Sequence, residues 1–456
     1  MLQLSPEQRN SATELLKALL RIDTSNPPGN VAPAMALLQE RFESKGISPV
    51  LVGENPEQIN LVAKLEATPE NRKHRPLILS CHLDVVPADA SRWTHPPFSG
   101  HDDGTCIWGR GAIDMKGFAA MAAITFEALA DKRNELNRDV IFVAVSDEEA
   151  GTKLGSKWLT ENHPDLLGTN PEYVINEVGG FTVHRKGRHF YPVQVAEKGV
   201  AWLRLTVKGT PGHSSLPNQD NAAATLARAV KAIDETRLPW HPSEEAGRFI
   251  AGFAAPEGSL AKKVAGLFLN PLLGPFLLKL LVTDPSRRAS LEAVLRNTAN
   301  PTRLSAGEAI NVIPGEAYAD IDGRLAPGET ADDLIRELKT ILDRVAPCDY
   351  TLEVLETSLP VSFEPDTPLF DAIQKALESA DPGAYVVPSI IQGFTDSKNY
   401  ASLGATCYGF YPLKMPEDLD FASLFHGDNE RIPIQGFHWG IEVLTSMLLE
   451  FLRDDS

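Results

Sequence analysis

The chain has 456 residues, 43% of them hydrophobic and 23% charged, with a formal net charge of −18. That length suits two domains or three, and the ordinary globular composition excludes extended disorder. The acidic excess argues against nucleic acid and anionic membrane surfaces as partners.

The first residues, MLQLSPEQRNSATELLKALL, open an amphipathic helix with Ser5 as N-cap and Pro6 at the first helical position. No basic segment followed by an apolar one precedes it, so no secretory leader is expected. Cys81, Cys106, Cys348 and Cys407 lie far apart and form neither a disulfide framework nor a cysteine-type zinc site. A reducing compartment, and hence a cytoplasmic protein, is the expectation.

Helices over Pro6–Leu20 and Ala32–Lys45 precede strands near Pro49–Val52, Asn60–Leu65 and Leu77–Cys81. A loop rich in Gly, Pro and Asp follows, and Lys116–Ala130 has helical apolar spacing. DVIFVAV at Asp139–Val145 is a continuous apolar run, as in a strand covered on both faces. A helix over Leu154–Glu161 and a strand at Tyr173–Asn176 continue the βαβ rhythm, which implies a largely parallel sheet with helices on both faces. Near Ala196 the pattern changes. Ala201–Val207 and Asn311–Leu325 alternate as half-exposed strands, Ala222–Asp234 and Ala331–Val345 read as helices, and Tyr350–Leu355 as a strand. From Pro368 the α/β pattern resumes, with helices over Pro368–Ala380 and Gly436–Arg453 and strands at Tyr385–Ser389 and Thr406–Phe410.

The expected organisation is therefore an α/β catalytic domain, 1–197 and 357–456, interrupted by an α+β domain, 198–356. A helical insertion at about 242–303 falls inside the latter. Within it, VAGLFLNPLLGPFLLKLLV (Val264–Val282) is long and apolar, but Asn270, Pro271, Pro275 and Lys279 interrupt it. Two prolines break a spanning helix, so a pair of short buried or interfacial helices is expected in place of a membrane span.

The residues that carry chemistry gather at strand ends. His82 and Asp84 are two apart, so they share one face of a strand. Asp84 can then accept a hydrogen bond from one imidazole nitrogen while the other binds a metal. Asp114 stands in GRGAIDMKG, where three glycines let a carboxylate turn inward. Ser146-Asp147-Glu148-Glu149 follows the buried strand, and Glu177 follows the next one. His426 lies in a Gly/Asp loop before the last helix. Two imidazoles (His82, His426) and three carboxylates (Asp114, Glu149, Glu177) suit a pair of Zn²⁺ ions, with Glu148 left as a base.

HLDVVP, GRGAIDMKG, SDEEAG, NEVGG, GTPGHSS, NVIPGEA and FHGDNE, in this order and spacing, resemble the M20 family of metallopeptidases, whose members include aminoacylases and carboxypeptidases. The resemblance covers nearly the whole chain. It implies a zinc-binding α/β catalytic domain interrupted by an α+β lid or dimerisation domain. It also implies two Zn²⁺ per subunit, with Co²⁺ or Mn²⁺ as substitutes. His82 and Glu177 would hold one ion, Glu149 and His426 the other, and Asp114 both, with a cis bond to Met115. Asp84 would support His82, and Glu148 would be the general base. His213, in the Gly212–Ser215 turn, would stabilise the oxyanion and reach a neighbouring subunit, which implies a homodimer. Asn311 and Arg324 match substrate-binding positions, and so does Lys398, where relatives often carry Arg.

The region from Ala254 to Thr302, with TDSKNY and YGFYPL, resembles the Gly-Xaa carboxypeptidase and N-fatty-acyl-amino-acid hydrolase branch. The implied reaction is amide hydrolysis of N-acyl amino acids or of small peptides with a free C-terminal carboxylate. The alternatives are a narrow dipeptidase or deacylase of the same fold, and a catalytically silent binding homologue.

Overall fold

The computed structural model describes residues 2–168, 170–345 and 349–453, and Cys348 lies outside them. The chain forms two compact units. The first comprises Met1–Val195, Phe363–Pro388 and Thr395–Ser456, and the second Ala196–Ser362 with Ser389–Phe394. The short return segment Ser389–Phe394 has no composition signal of its own.

In the first unit the strands run Val50–Val52, Asn60–Leu65, Val140–Val145, Leu77–His82, Tyr173–Asn176, Thr406–Gly409 and Arg188–Glu197 across the sheet. Only the middle four are parallel to one another, and the neighbours on either side pair antiparallel. The sequence rhythm gave the parallel centre. The antiparallel flank at Arg188–Glu197 was not apparent, because it follows a tight hairpin with Val183–Arg185.

The apolar runs are continuous because alternate residues enter different cores. Leu77, Leu79 and Cys81 face the larger cluster, together with Val140, Phe142 and Ala144, while Ile78, Ile141, Val143 and Val145 face the other. Helices Pro6–Leu20, Lys116–Ala130, Pro368–Ala380 and Ile434–Phe451 cover the first face. Ser156–Asn162 and Ser397–Ala401 lie on the second. The first helix starts as its sequence dictates. Ser5 Oγ accepts from Gln8 N, and Gln8 Oε1 accepts from Ser5 N in return.

The second unit has a four-stranded antiparallel sheet in the order Thr298–Ala306, Glu316–Leu325, Gly199–Lys208, Tyr350–Ser358. Alternation sends Ala317, Ala319, Ile321 and Leu325 to helices Ala222–Glu235 and Ala331–Val345. The expected strand Asn311–Leu325 is broken at Pro314-Gly315. Val312–Ile313 pairs instead with Gly212–His213. Thr298–Ala306 lies where the sequence suggested only insertion. It is an edge strand whose register shifts between Pro301 and Arg303, and proline is tolerated at such an edge. The apolar segment folds as short helices, Ser259–Gly266 and Gly274–Leu281, separated by a 3-10 turn at Leu267–Leu269. Among the described residues no helix is long and apolar enough to cross a membrane.

Phe142 lies in an aromatic cluster of the first unit's core. Its ring meets Phe42 edge-on at 5.0 Å and Phe126 at 5.7 Å, and it is fully buried. Phe142→Ala is expected to lower unfolding free energy by about 3–5 kcal/mol in a urea titration, and a loss below about 1 kcal/mol would contradict this packing.

Candidate metal centre

The parallel centre of the sheet decides which residues meet. His82 pairs with Val145 and Leu79 with Ile175, so the carboxyl ends of three strands lie side by side. The chain leaving them carries His82, Glu148 with Glu149, and Glu177, all at the edge where open α/β sheets place their sites. Backbone geometry turns these side chains inward: Asp147 (φ 64°), Val178 (φ 60°) and His426 (φ 53°) adopt left-handed conformations. This is costly for a β-branched valine, and such outliers gather at functional sites. Gly409 is needed because a Cβ there would lie 2.1 Å from Glu177 O.

Asp114 stands at the centre. One carboxylate oxygen lies 3.1 Å from His82 Nε2, and the other lies 3.1 Å from His426 Nε2. His82 Nε2 is also 3.6 Å from Glu177 Oε2, and His426 Nε2 is 3.1 Å from Glu149 Oε2. His82 and the acid side chains are buried, while His426 reaches in from an exposed position. The Asp114–Met115 peptide is cis. Ligand atoms of His82, Glu148 and Glu177, and those of His82, Asp114 and Glu149, lie within 4.8 Å of one another.

Electrostatics show what this cluster lacks. Burial pushes the Glu177 carboxyl up to about 8. Burial, with Glu177 beside it, pushes Glu148 well up, and burial and the Asp114 charge raise Glu149. Burial alone would raise Asp114 too, but hydrogen bonds from His426 and His82 hold it below the usual carboxylate range. Those partnerships rebound on the imidazoles. His426 is pushed up to about 10 by hydrogen bonds with Asp114 and Glu149, and the Glu177 charge and Asp114 carry His82 well up against its burial. The cluster keeps protons because it is short of positive charge. Glu149 Oε1 is buried with no hydrogen-bond partner. A buried mixed N/O donor set with an orphaned carboxylate oxygen fits divalent cations.

Asp84 differs from expectation. Its carboxylate lies 3.6 Å from His82 Nδ1, beyond a hydrogen bond, while its backbone carbonyl accepts from that nitrogen at 2.9 Å. The carboxylate instead accepts from Glu148 N and Glu149 N, each at 3.1 Å, and from Asn26 Nδ2 at 2.8 Å. Asp84 thus fixes the imidazole through its backbone and the two glutamates through its side chain.

Two further residues were not singled out in the sequence. Glu430 is fully buried and its oxygens accept from Arg110 Nη1 (2.7 Å), Gly111 N (3.0 Å), Ile113 N (2.6 Å) and Asp114 N (3.0 Å). It clamps the loop that carries Asp114 to the loop that carries His426. Its place in HGDNE was visible, but its partners, more than 300 residues away, were not. Asp396 is buried, bonded by the Ser156 hydroxyl, with its other oxygen unpartnered, and burial raises it to about 6.

The other expected site residues divide between the units. Lys398 is half-buried in the first, on helix Ser397–Ala401. His213, Asn311 and Arg324 belong to the second. There the exposed His213 accepts at Nδ1 from Ser215 N, and Asn311 O accepts from Ser214 N, so the turn and Asn311 are neighbours. Arg324 is forked onto Asp322 at 2.8 and 3.1 Å, which leaves its buried Nη1 without a hydrogen-bond partner.

Fold and donor set together describe an α/β protein with a candidate two-cation centre. The family model for peptidase family M20/M25/M40 matches residues 78–450. The chain is 31% identical over 381 residues to a probable carboxypeptidase S-like 2 of Dictyostelium discoideum, covering 80% of this chain and 69% of that one. It is 29% identical over 475 residues to the N-fatty-acyl-amino acid synthase/hydrolase PM20D1 of Bos taurus, covering 99% and 89%. Among solved structures, an M20 family metallo-carboxypeptidase, Sso-CP2 of Sulfolobus solfataricus, superposes with a TM-score of 0.68 at 20% identity, over 98% of this chain and 99% of that one. The Bacillus subtilis protein YXEP, described as a dinuclear metal binding peptidase, does so with a TM-score of 0.63 at 12% identity, over 98% and 99%. The chain belongs to peptidase family M20/M25/M40. It is a hydrolase of amide bonds.

Two predictions follow from this geometry. Glu430→Gln should weaken divalent-cation binding by about 10–100-fold in calorimetric titration, and unchanged affinity would remove its role as clamp. Because burial raises Glu177 to about 8 and the neighbouring acids raise His426 to about 10 and His82 well up, cation binding should release protons and affinity should rise with pH up to about 10. Titration in buffers of different ionisation enthalpy should show that proton release. Binding that is independent of pH would contradict it.

Proposed function

We propose that this protein is a dinuclear zinc hydrolase of N-acyl amino acids, or of small peptides with a free C-terminal carboxylate. The observation that carries the reading is Asp114, whose two oxygens each lie 3.1 Å from a different imidazole, with a further acid beside each histidine. His82 and Glu177 would hold one ion, Glu149 and His426 the other, and Asp114 both. When bound, such a pair supplies Lewis acidity toward an amide carbonyl and a water acidified toward neutrality.

Glu148 is the base in this scheme. It is the acid of the cluster with no imidazole partner of its own, and burial with the Glu177 charge raises its proton affinity in the metal-free protein. It would take a proton from the attacking water and return it to the leaving amine. Asp84 keeps it in place through its backbone amide. His213 as oxyanion donor and Asn311, Arg324 and Lys398 as contacts to the substrate rest on the family resemblance. The unpartnered Nη1 of Arg324 supports recognition of a carboxylate. The names of relatives, including aminoacylase-1A of Rattus norvegicus at 24% identity, support the N-acyl amino acid class. A homodimer follows from the role given to His213, and a cytoplasmic location from four cysteines spaced too far apart in the sequence to suggest a disulfide framework.

Glu148→Ala should keep its zinc content and lose about 10²–10⁴-fold in kcat on an N-acyl amino acid. Activity equal to the parent's would end the assignment. A panel of N-acetyl and N-dodecanoyl amino acids, Gly-Xaa dipeptides and their C-terminal amides tests the substrate class. Equal turnover of amides and free acids would rule out carboxylate recognition.

A further inference from the structure

The helical part of the second unit has two faces of opposite character. Inward, Ala265, Phe268 and Leu278 pack with Trp240, Ile250 and Val294 in one buried cluster. Trp240 Nε1 donates to Phe268 O at 2.8 Å and fixes the middle of the segment. Outward, the same short helices and their connection leave Leu260 74%, Leu272 89%, Phe276 65% and Leu280 60% exposed, with Leu267, Leu273 and Leu281 about half exposed. Phe276 and Leu280 are one turn apart on helix Gly274–Leu281, so they share a stripe. No other stretch of the described residues exposes so many large apolar side chains, and a group of this kind marks a contact surface.

Charge indicates what the surface meets. Between Ser259 and Ser290 the cations are Lys262, Lys263, Lys279, Arg287 and Arg288, and Asp284 is the one acid. Four of these cations are exposed and Arg288 is half-buried, and no ion pair involving the five is found among the described residues. This is a basic island on a chain whose net charge is −18. Screening at physiological salt limits the reach of distant acids to about 8 Å, so adsorption is governed by charge close to the contact. We propose that this face docks on an anionic lipid bilayer, with Leu272, Leu273, Phe276 and Leu280 entering the headgroup boundary and the lysines and arginines meeting lipid phosphates.

A second copy fits less well, because a two-fold contact would bring the basic island against its own image. An acyl chain of a substrate fits less well too, since small-molecule sites are concave and these side chains project outward. Among the described residues no helix is long and apolar enough to cross a membrane, and the proposed contact is peripheral. The whole-chain charge, taken alone, disfavours this partner; the local distribution reverses that sign. The inference is independent of the reading of the metal centre.

The full chain should sediment with vesicles of phosphatidylcholine containing about 30 mol % phosphatidylserine at least about tenfold more than with phosphatidylcholine alone, and raised salt should release it. Phe276→Asp combined with Leu280→Asp, and separately Lys262→Glu combined with Lys263→Glu, should abolish sedimentation while leaving the unfolding midpoint within error of the parent, since all four side chains are exposed. Failure to bind either vesicle overturns the proposal, and so does undiminished binding by either double variant. Conversion of a dimeric parent to monomer by the Phe276/Leu280 pair, seen by light scattering, also overturns it and assigns the face to a second copy.

Discussion

A shortage of positive charge around Asp114 is the constraint on which the first unit's architecture turns. Four buried acids and two imidazoles meet at one sheet edge, and the protein alone neutralises them only by retaining protons. Burying like charges together is unfavourable, so the backbone that carries them has to be held firmly in place. Asp84 collects the Glu148 and Glu149 amides, and Glu430 collects three amides of the Asp114 loop with Arg110. These two acids do not face the cluster's centre. They fix the backbone from which the cluster projects.

The distribution of rigidity follows from the same requirement. Residues aimed at the cluster come from the ends of central parallel strands, where both faces are packed and the register is closed by neighbours. Asp114 and His426 are the exceptions, both coming from loops, and His426 has an exposed side chain and a left-handed backbone. The His426 loop is anchored through Glu430 four residues on and through Arg110 Nη2, which donates to His426 O at 3.4 Å. Part of the centre is thus set by the sheet and part by loops tied down by Glu430 and Arg110.

The second unit obeys different physics. Its sheet has one face packed by two helices, and its polar face carries paired charges such as Arg204 with Asp320 and Arg324 with Asp322. Its helical insertion buries one side and presents leucines and lysines on the other. Hydrophobic content alone says nothing about which side is covered. That is why a segment whose composition suggested a membrane question folds as short helices with an outward apolar face.

Much of the site was legible in the sequence because its residues sit at strand ends and in glycine-rich turns, which have local signatures. The apolar runs Leu77–Cys81 and Asp139–Val145 pointed to two buried strands, and the motifs after them supplied His82, Asp84, Glu148 and Glu149. Asp114, Glu177 and His426 were found in the same way. Roles that depend on a partner far along the chain were not legible. Glu430 reads locally as one more acid in a polar loop, and its function exists only where it meets Arg110 and the amides of residues 111–114. Asp84 was placed correctly beside His82, but whether its carboxylate or its carbonyl faces the imidazole is settled by competing amide donors from another strand. Strand character, helix caps and the donor inventory are properties of neighbouring residues, so the sequence determined them by itself. Register, the choice of hydrogen-bond partner and the sign of each pKa shift are properties of distant groups brought together, and only the tertiary structure decided those.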